Sequence, residues 1–134
     1  EKQGEGSILN VASSAGLFPA GPYMATYYAT KSYVTSLTRA VALELKEKKS
    51  NVYVGVLCPG PVDTEFNKVA NVEFAIPSIT PTYCAAYAIR KMEKRKIVIV
   101  PKNKMKVLAF ISRVLPQSLV IRMTARQQKK KRNW

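Results

Sequence analysis

Two serines, a tyrosine and a lysine near the start of the sequence are the residues best suited to chemistry. Ser13 and Ser14 stand in NVASSAG, and Tyr27 stands four residues before Lys31 in YYATK. Residues four apart share one face of a helix, so a helix here would bring a phenol beside an ammonium. An ammonium favours the ionised form of a neighbouring phenol, and such a tyrosine can exchange a proton with a carbonyl or alcohol oxygen.

A carbonyl reduction would need more than these four side chains. A serine hydroxyl can hydrogen-bond the substrate oxygen and orient it, while the tyrosine supplies the proton. The reaction also needs a hydride, which no side chain supplies, so a nicotinamide cofactor would have to bring it. The same tyrosine–lysine spacing occurs by chance on many structural helices, and the surrounding elements therefore decide its meaning.

Composition excludes several other kinds of site. The chain has no histidine and two cysteines among its 134 residues, so it cannot hold a Ser-His-Asp or Cys-His nucleophile system or a four-ligand zinc site built from histidine and cysteine. We therefore expect no metal site. Two cysteines do not form a disulfide scaffold, and their scarcity is typical of a reducing compartment, which favours the cytoplasm.

The hydrophobic pattern predicts strands that alternate with helices. Periodicity of three and four residues predicts a helix from Tyr23 to about Lys48. Thr80 before Pro81 is typical of a helix start, and this second helix is expected to end near Lys94. Short apolar runs predict three strands, at 7–12, 51–60 and 96–101. This alternation predicts an α/β fold with a parallel sheet, which binds ligands beyond the carboxyl ends of its strands.

Three segments together resemble the short-chain dehydrogenase/reductase family: GSILNVASSAG, YYATK and CPGPVDT. That family has a serine at the end of a strand, Tyr-x-x-x-Lys on the next helix, and a Pro-Gly-x-Val-x-Thr turn after the following strand. The resemblance covers roughly residues 6–100. It implies a Rossmann-like doubly wound sheet and an oxidoreductase that interconverts a carbonyl and an alcohol with NAD or NADP. It also implies a homo-oligomer when full length.

The resemblance assigns a role to each matching residue. Tyr27 would be the general acid and base, and Lys31 would stabilise its ionised form and hold the nicotinamide ribose. The serine would be Ser13 when counted forward from Asn10, or Ser14 when counted back from Tyr27, and we favour Ser13 because strand register shifts less easily than loop length. Four residues of the turn would line the nicotinamide side of the cofactor: Pro59, Gly60, Val62 and Thr64. Tyr28 has the wrong spacing to Lys31 for a catalytic role.

The sequence lacks the glycine-rich phosphate loop of the family. We therefore interpret residues 1–102 as the C-terminal half of an NAD(P)-binding Rossmann-like domain, and residues 103–134 as a basic amphipathic segment and tail. Half of a parallel sheet leaves apolar surface uncovered, so this chain alone is expected to fold poorly and to be inactive. The alternative to an enzyme is a catalytically inactive fragment or binding module.

The excess of positive charge lies in the last third of the sequence. Residues 90–134 contain fifteen Lys or Arg and one acidic residue, whereas residues 1–89 are balanced. Three interpretations are open: a solvated tail, contact with an anionic membrane through residues 103–134, and nucleic-acid binding, which ranks last. The segment 65–80 contains apolar residues that indicate either a hydrophobic substrate or an ordinary packed loop: Phe66, Val69, Phe74 and Ile76.

Overall fold

A computed structural model describes residues 4–65 and 77–131 of the protein. Three strands lie in these residues: β1 (Glu5–Val11), β2 (Asn51–Leu57) and β3 (Val98–Ile99). A short 3-10 helix (Ser14–Leu17) follows β1. The α-helices of the described residues are α1 (Ala25–Glu47), α2 (Pro81–Glu93), α3 (Asn103–Val114) and α4 (Gln117–Lys131).

The strands form one parallel sheet with the order β1-β2-β3. Ile8 of β1 lies opposite Val54 of β2, and Leu57 of β2 lies opposite Ile99 of β3. β3 is shorter than the predicted strand at 96–101. The amide of Lys96 is taken by the carbonyl of Lys91 at the end of α2, and proline at 101 has no amide hydrogen with which to continue the ladder.

Helices cover both faces of the sheet, as predicted for a doubly wound α/β fold. On one face, Asn10 of β1 donates to the hydroxyl of the buried Thr38 of α1 over 2.8 Å. On the other face, Cys84 and Ala88 of α2 pack with Leu57 and Ile99. Both surfaces of β2 are therefore buried, which explains its near-continuous apolar sequence, whereas β1 stays largely exposed.

The predicted start of the second helix is confirmed. The hydroxyl of Thr80 accepts a hydrogen bond from the amide of Tyr83, and Pro81 occupies the first position of α2. Pro116 separates α3 from α4, since α3 ends at Val114 and α4 begins at Gln117. Proline disrupts a continuing helix because it lacks the amide donor.

A solvated tail was one of three open interpretations, and the described part of α4 has one packed stripe. Val120, Thr124 and Gln128 recur at four-residue steps and form a buried face, with Gln128 only 2% exposed. The remaining positions of the helix carry the basic residues, so one stripe packs while the charges stay in water. The division of the chain at residue 102 stays a prediction.

Some expectations lie beyond what the structure describes. The apolar residues of the segment 65–80 fall outside the described residues: Phe66, Val69, Phe74 and Ile76. Among residues 4–65 and 77–131, no helix has the length and apolar character to cross a membrane.

Candidate active site

The loop after β1 places both candidate serines at the carboxyl end of the sheet. Ser13 caps the short 3-10 helix, and its Oγ accepts a hydrogen bond from the amide of Ala15 over 3.2 Å. This contact uses a lone pair and leaves the hydroxyl proton free to donate. The amide of Ser14 donates to the carbonyl of Pro59 over 2.8 Å, which ties this loop to the turn after β2.

Tyr27 and Lys31 lie in the first two turns of α1, beside the serine loop. The ammonium of Lys31 is 5.8 Å from the centre of the Tyr27 ring and donates to the carbonyl of Val11 over 3.5 Å. Gly16 permits the close packing of loop and helix, because a Cβ there would lie 2.5 Å from the Lys31 carbonyl oxygen. The predicted helix thus brings the phenol and the ammonium together at the end of β1.

The Pro-Gly turn after β2 forms the next part of the site. Its backbone is fixed by two hydrogen bonds, from Asp63 N to Ile79 O and from Ile79 N to Pro61 O, of 2.9 and 3.0 Å. Gly60 lies against α3, where an added Cβ would come within 3.1 Å of Met105 Cγ. The turn therefore has a fixed position relative to both the sheet and α3.

One cavity of about 610 Å³ joins these elements. Nearly all of the residues proposed from the sequence line it: Ser13, Ser14, Tyr27, Pro59, Gly60, Val62 and Thr64. Lys31 is not in the lining, but its ammonium lies beside Tyr27. The volume falls within the range of about 300–1,000 Å³ that is typical of small-molecule sites. The structure therefore brings the predicted residues to a single ligand-sized space.

A further part of the cavity wall comes from α3 and α4, which the sequence interpretation had not assigned to the site. This wall is mostly apolar and contains Met105, Leu108, Ile111, Leu115, Val120 and Met123. It also contains the polar residues Ser112, Thr124, Gln127 and Gln128. The four-residue spacing of Val120, Thr124 and Gln128 was a signal in the sequence that could have revealed a packed face.

Tyr28 also belongs to the cavity, although its spacing had excluded it from a catalytic role. Its hydroxyl accepts a hydrogen bond of 2.9 Å from Nε2 of Gln128. Burial raises the pKa of Tyr28, and the Gln128 hydrogen bond opposes this rise in part. Its ring packs so closely against Gly21 that a Cβ there would overlap the ring. The surroundings of Tyr28 thus favour a neutral side chain with a fixed orientation.

Cys58 precedes the Pro-Gly turn but has the surroundings of a packing residue. It is fully buried, and its sulfur lies 3.8 Å from Oγ1 of Thr35. Burial raises the pKa of the Cys58 thiol, against the hydrogen bond with Thr35. A thiol that is kept neutral and away from solvent is a poor nucleophile.

The fold and the site define an α/β protein whose ligand cavity lies at the carboxyl ends of a parallel sheet. The family model described as short chain dehydrogenase matches residues 1–73, which is more than half of the chain. The chain therefore belongs to the short-chain dehydrogenase family.

Curated relatives show how much of the family's length is present. The chain is 45% identical over 64 residues to the D-beta-hydroxybutyrate dehydrogenase of Rhizobium meliloti (strain 1021), which covers 48% of this chain and 24% of that protein. It is 26% identical over 128 residues to the very-long-chain 3-oxoacyl-CoA reductase of Anas platyrhynchos, which covers 96% of this chain and 39% of that protein. The chain thus spans well under half the length of these relatives.

Solved structures share the fold. A short-chain dehydrogenase from Sphingobium yanoikuyae in complex with NADPH has a TM-score of 0.65 at 24% identity, covering 84% of this chain and 45% of that one. A short chain dehydrogenase/reductase from Burkholderia phymatum in complex with NAD has a TM-score of 0.67 at 23% identity, covering 81% of this chain and 47% of that one.

Proposed function

We propose that the protein is an NAD(P)-dependent oxidoreductase that interconverts a carbonyl and an alcohol on a hydrophobic substrate, with Tyr27 as general acid and base. The observation that carries this proposal is the shared cavity. Ser13, Tyr27 and the Pro59–Gly60 turn line one space whose remaining walls are largely apolar. Polar groups at one end of an apolar pocket orient a ligand and leave its apolar part to be buried.

The residues present fit the nicotinamide end of the cofactor. The family relatives described above bind NADPH in one case and NAD in the other. In this chain, the cofactor-facing residues would be Tyr27 with Lys31 on α1 and, on the turn after β2, Pro59, Gly60, Val62 and Thr64. When bound, the nicotinamide would supply or accept the hydride.

Each polar side chain of the site has a separate task in this proposal. The Tyr27 hydroxyl gives a proton to the carbonyl oxygen in reduction and removes it from the alcohol in oxidation. The Lys31 ammonium, 5.8 Å from the ring centre, stabilises the tyrosinate left after proton donation. The Ser13 hydroxyl donates a hydrogen bond to the substrate oxygen, while its Oγ accepts a hydrogen bond from the amide of Ala15.

The substrate proposed is hydrophobic because of the wall that α3 and α4 provide. Met105, Leu108 and Leu115 line the cavity, so an aliphatic or ring substituent on the carbonyl would lose contact with water there. The relatives named above act on a short hydroxy acid and on a very-long-chain acyl derivative, according to their names. The length of the substrate's carbon chain is therefore a quantity to be measured.

We also propose partners for the surface of the molecule. α1 exposes apolar residues that a second copy of the chain could cover: Tyr33, Leu37 and Leu43. α3 and α4 expose apolar residues among cations, which supports contact with an anionic membrane. Cys58 and Cys84 are both free, which supports a reducing compartment such as the cytoplasm.

The proposal is tested by assaying the intact protein with NADH and NADPH against ketones of increasing chain length. Lys31→Ala is expected to lower turnover and cofactor affinity, whereas Lys46→Ala, an exposed lysine in the last turn of α1, is the matched control. If the intact protein binds neither cofactor and reduces no ketone, the alternative of a catalytically inactive binding module is correct instead.

A further inference from the structure

One face of α3 leaves large apolar side chains in water. Val107, Phe110 and Val114 follow one another at three- and four-residue steps, and Phe110 and Val114 are 67% and 71% exposed. The opposite face of the helix is packed, with Met105 and Ala109 buried. Three neighbouring apolar side chains on one helix face are typical of a surface that meets another apolar phase.

α4 carries a second exposed apolar stripe. Leu119 and Met123 are one helical turn apart and are both exposed. Residues 103–131, which comprise α3, the Pro116 turn and α4, contain eight Lys or Arg and no acidic residue. An apolar face flanked only by cations is complementary to an anionic bilayer, because the apolar side chains enter the acyl boundary while the cations meet the headgroups.

Two residues belong both to this surface and to the cavity. Ile111 of α3 is 42% exposed and Met123 of α4 is 54% exposed, yet both line the cavity that contains Tyr27. A residue that lines a cavity and faces solvent lies at its rim. Ile111 is one turn from Val107, and Met123 is one turn from Leu119, so apolar surface is continuous from the exposed stripes to the interior.

The geometry points to a substrate portal between Ile111 and Met123 that opens onto the bilayer-facing surface. This inference rests on the proposed function and adds the route of the substrate. A hydrophobic ketone or alcohol dissolved in an anionic bilayer passes between α3 and α4 to the Tyr27 end of the cavity without crossing water. Crossing water would expose its apolar surface, which is unfavourable. The cations of α3 and α4 hold the rim against the headgroups.

The location of the rim can be tested without any catalysis. Phosphatidylcholine vesicles with about 30% phosphatidylserine, made with brominated acyl chains, quench a tryptophan that enters the bilayer. The intact protein with Ile111→Trp is expected to show quenching beyond that of the wild type. The matched variant Ile89→Trp, at an exposed position on α2, is expected to show no more quenching than the wild type. Equal quenching of the two variants, or none in either, overturns the portal.

The route is tested by comparing two substrates in the same vesicles. The double variant Ile111→Trp/Met123→Trp narrows the rim and is expected to bind vesicles as the wild type does. Its kcat/KM for a bilayer-dissolved long-chain ketone should fall about tenfold relative to that for a short water-soluble ketone. An unchanged ratio overturns the portal. Absence of turnover with either ketone in the wild type overturns the proposed function, while the quenching still decides the position of the rim.

The surface variant Phe110→Gln/Val114→Gln separates docking from the portal. These side chains lie outside the cavity lining, so turnover of the short ketone is expected to stay within about twofold, as for other exposed substitutions. Vesicle binding and turnover of the bilayer-dissolved ketone should both fall. The contrary result is that the wild type is a dimer that does not bind vesicles and the variant is a monomer. A second copy of the chain then covers this surface, and the portal is wrong.

Discussion

Nε2 of Gln128 donates a hydrogen bond of 2.9 Å to the hydroxyl of Tyr28. Tyr28 adjoins Tyr27, and the two rings meet edge to face with centres 6.4 Å apart. The next residue of α4, Lys129, places its ammonium 5.4 Å from the centre of the Tyr23 ring. Gln128 and Lys129 of α4 thus contact Tyr28 and Tyr23, which lie on either side of Tyr27 in the sequence. These contacts join α4 to the segment that carries Tyr27.

Tyr28→Phe tests the contribution of this contact to stability. The change removes the hydroxyl and leaves the amide of a residue that is 2% exposed without this partner. The free energy of unfolding should fall by about 1–3 kcal/mol, as measured by chemical denaturation of the intact protein. In the double variant Tyr28→Phe/Gln128→Met, part of the loss should return, because no unpaired polar group remains. A Tyr28→Phe protein as stable as the wild type would show that the contact does not contribute.

Alkaline pH should destabilise the protein through its buried acids. Burial raises the pKa of Tyr28 above 10.0 and that of the Cys58 thiol above 9.0, their ordinary values. Above those ordinary values the unfolded chain releases these protons while the folded chain retains them, so stability is full at lower pH and is lost as pH rises through the folded pKa. In Cys58→Ala, the fall in unfolding free energy above pH 9.0 should be shallower than in the wild type. The same dependence of unfolding free energy on pH in both proteins would show that this thiol does not contribute to the alkaline loss of stability.

Gly21→Ala tests the close packing of the loop before α1. The new methyl group would overlap the Tyr28 ring, and overpacking of this kind costs about 1–3 kcal/mol. The free energy of unfolding should fall, and KM for the substrate should rise because Tyr28 lines the cavity. In a Tyr28→Ala background the same change should cost much less, since the ring is gone. Equal costs in both backgrounds would mean that the ring is not the cause.

Ser13→Ala and Ser14→Ala decide which serine acts on the substrate oxygen. Ser13→Ala should lower kcat by about 10²–10³, the usual loss for one hydrogen-bond donor to a developing oxyanion. Ser14→Ala should change kcat by only a few-fold, because its fixed contact is its backbone amide to Pro59. Thermal unfolding of both variants controls for the loss of the Ser13 cap at Ala15. The reverse order of effects would assign the role to Ser14.

The fold was largely predictable from local patterns. The strand predicted within 51–60 and the Thr80–Pro81 helix start depend on neighbouring residues only. Both are confirmed, with the strand ending at Leu57. The shortening of β3 was not predictable in this way, because it depends on which carbonyl takes the amide of Lys96. Strand ends depend on tertiary pairing, which a single sequence does not display.

Only part of the candidate site was predictable from the sequence. The residues from Ser13 to Thr64 follow strand ends and a helix face, so their meeting at one cavity follows from the topology of a parallel sheet. The wall from α3 and α4 was missed because the composition of residues 103–134 is dominated by charge. Four-residue spacing of Val120, Thr124 and Gln128 places a packed stripe within this basic segment, and only the three-dimensional contact with Tyr28 reveals its partner.

The most direct test of the proposed chemistry is Tyr27→Phe in the intact protein. The change keeps the ring beside the Lys31 ammonium and removes the hydroxyl proton that the proposed reaction would use. We expect kcat to fall by about 10²–10⁴, the usual contribution of a general acid or base, while titration still shows NADH or NADPH binding. Tyr83→Phe, an exposed tyrosine on α2, is the matched control and should keep its activity. Full activity in Tyr27→Phe would contradict the assignment of Tyr27 as the proton donor.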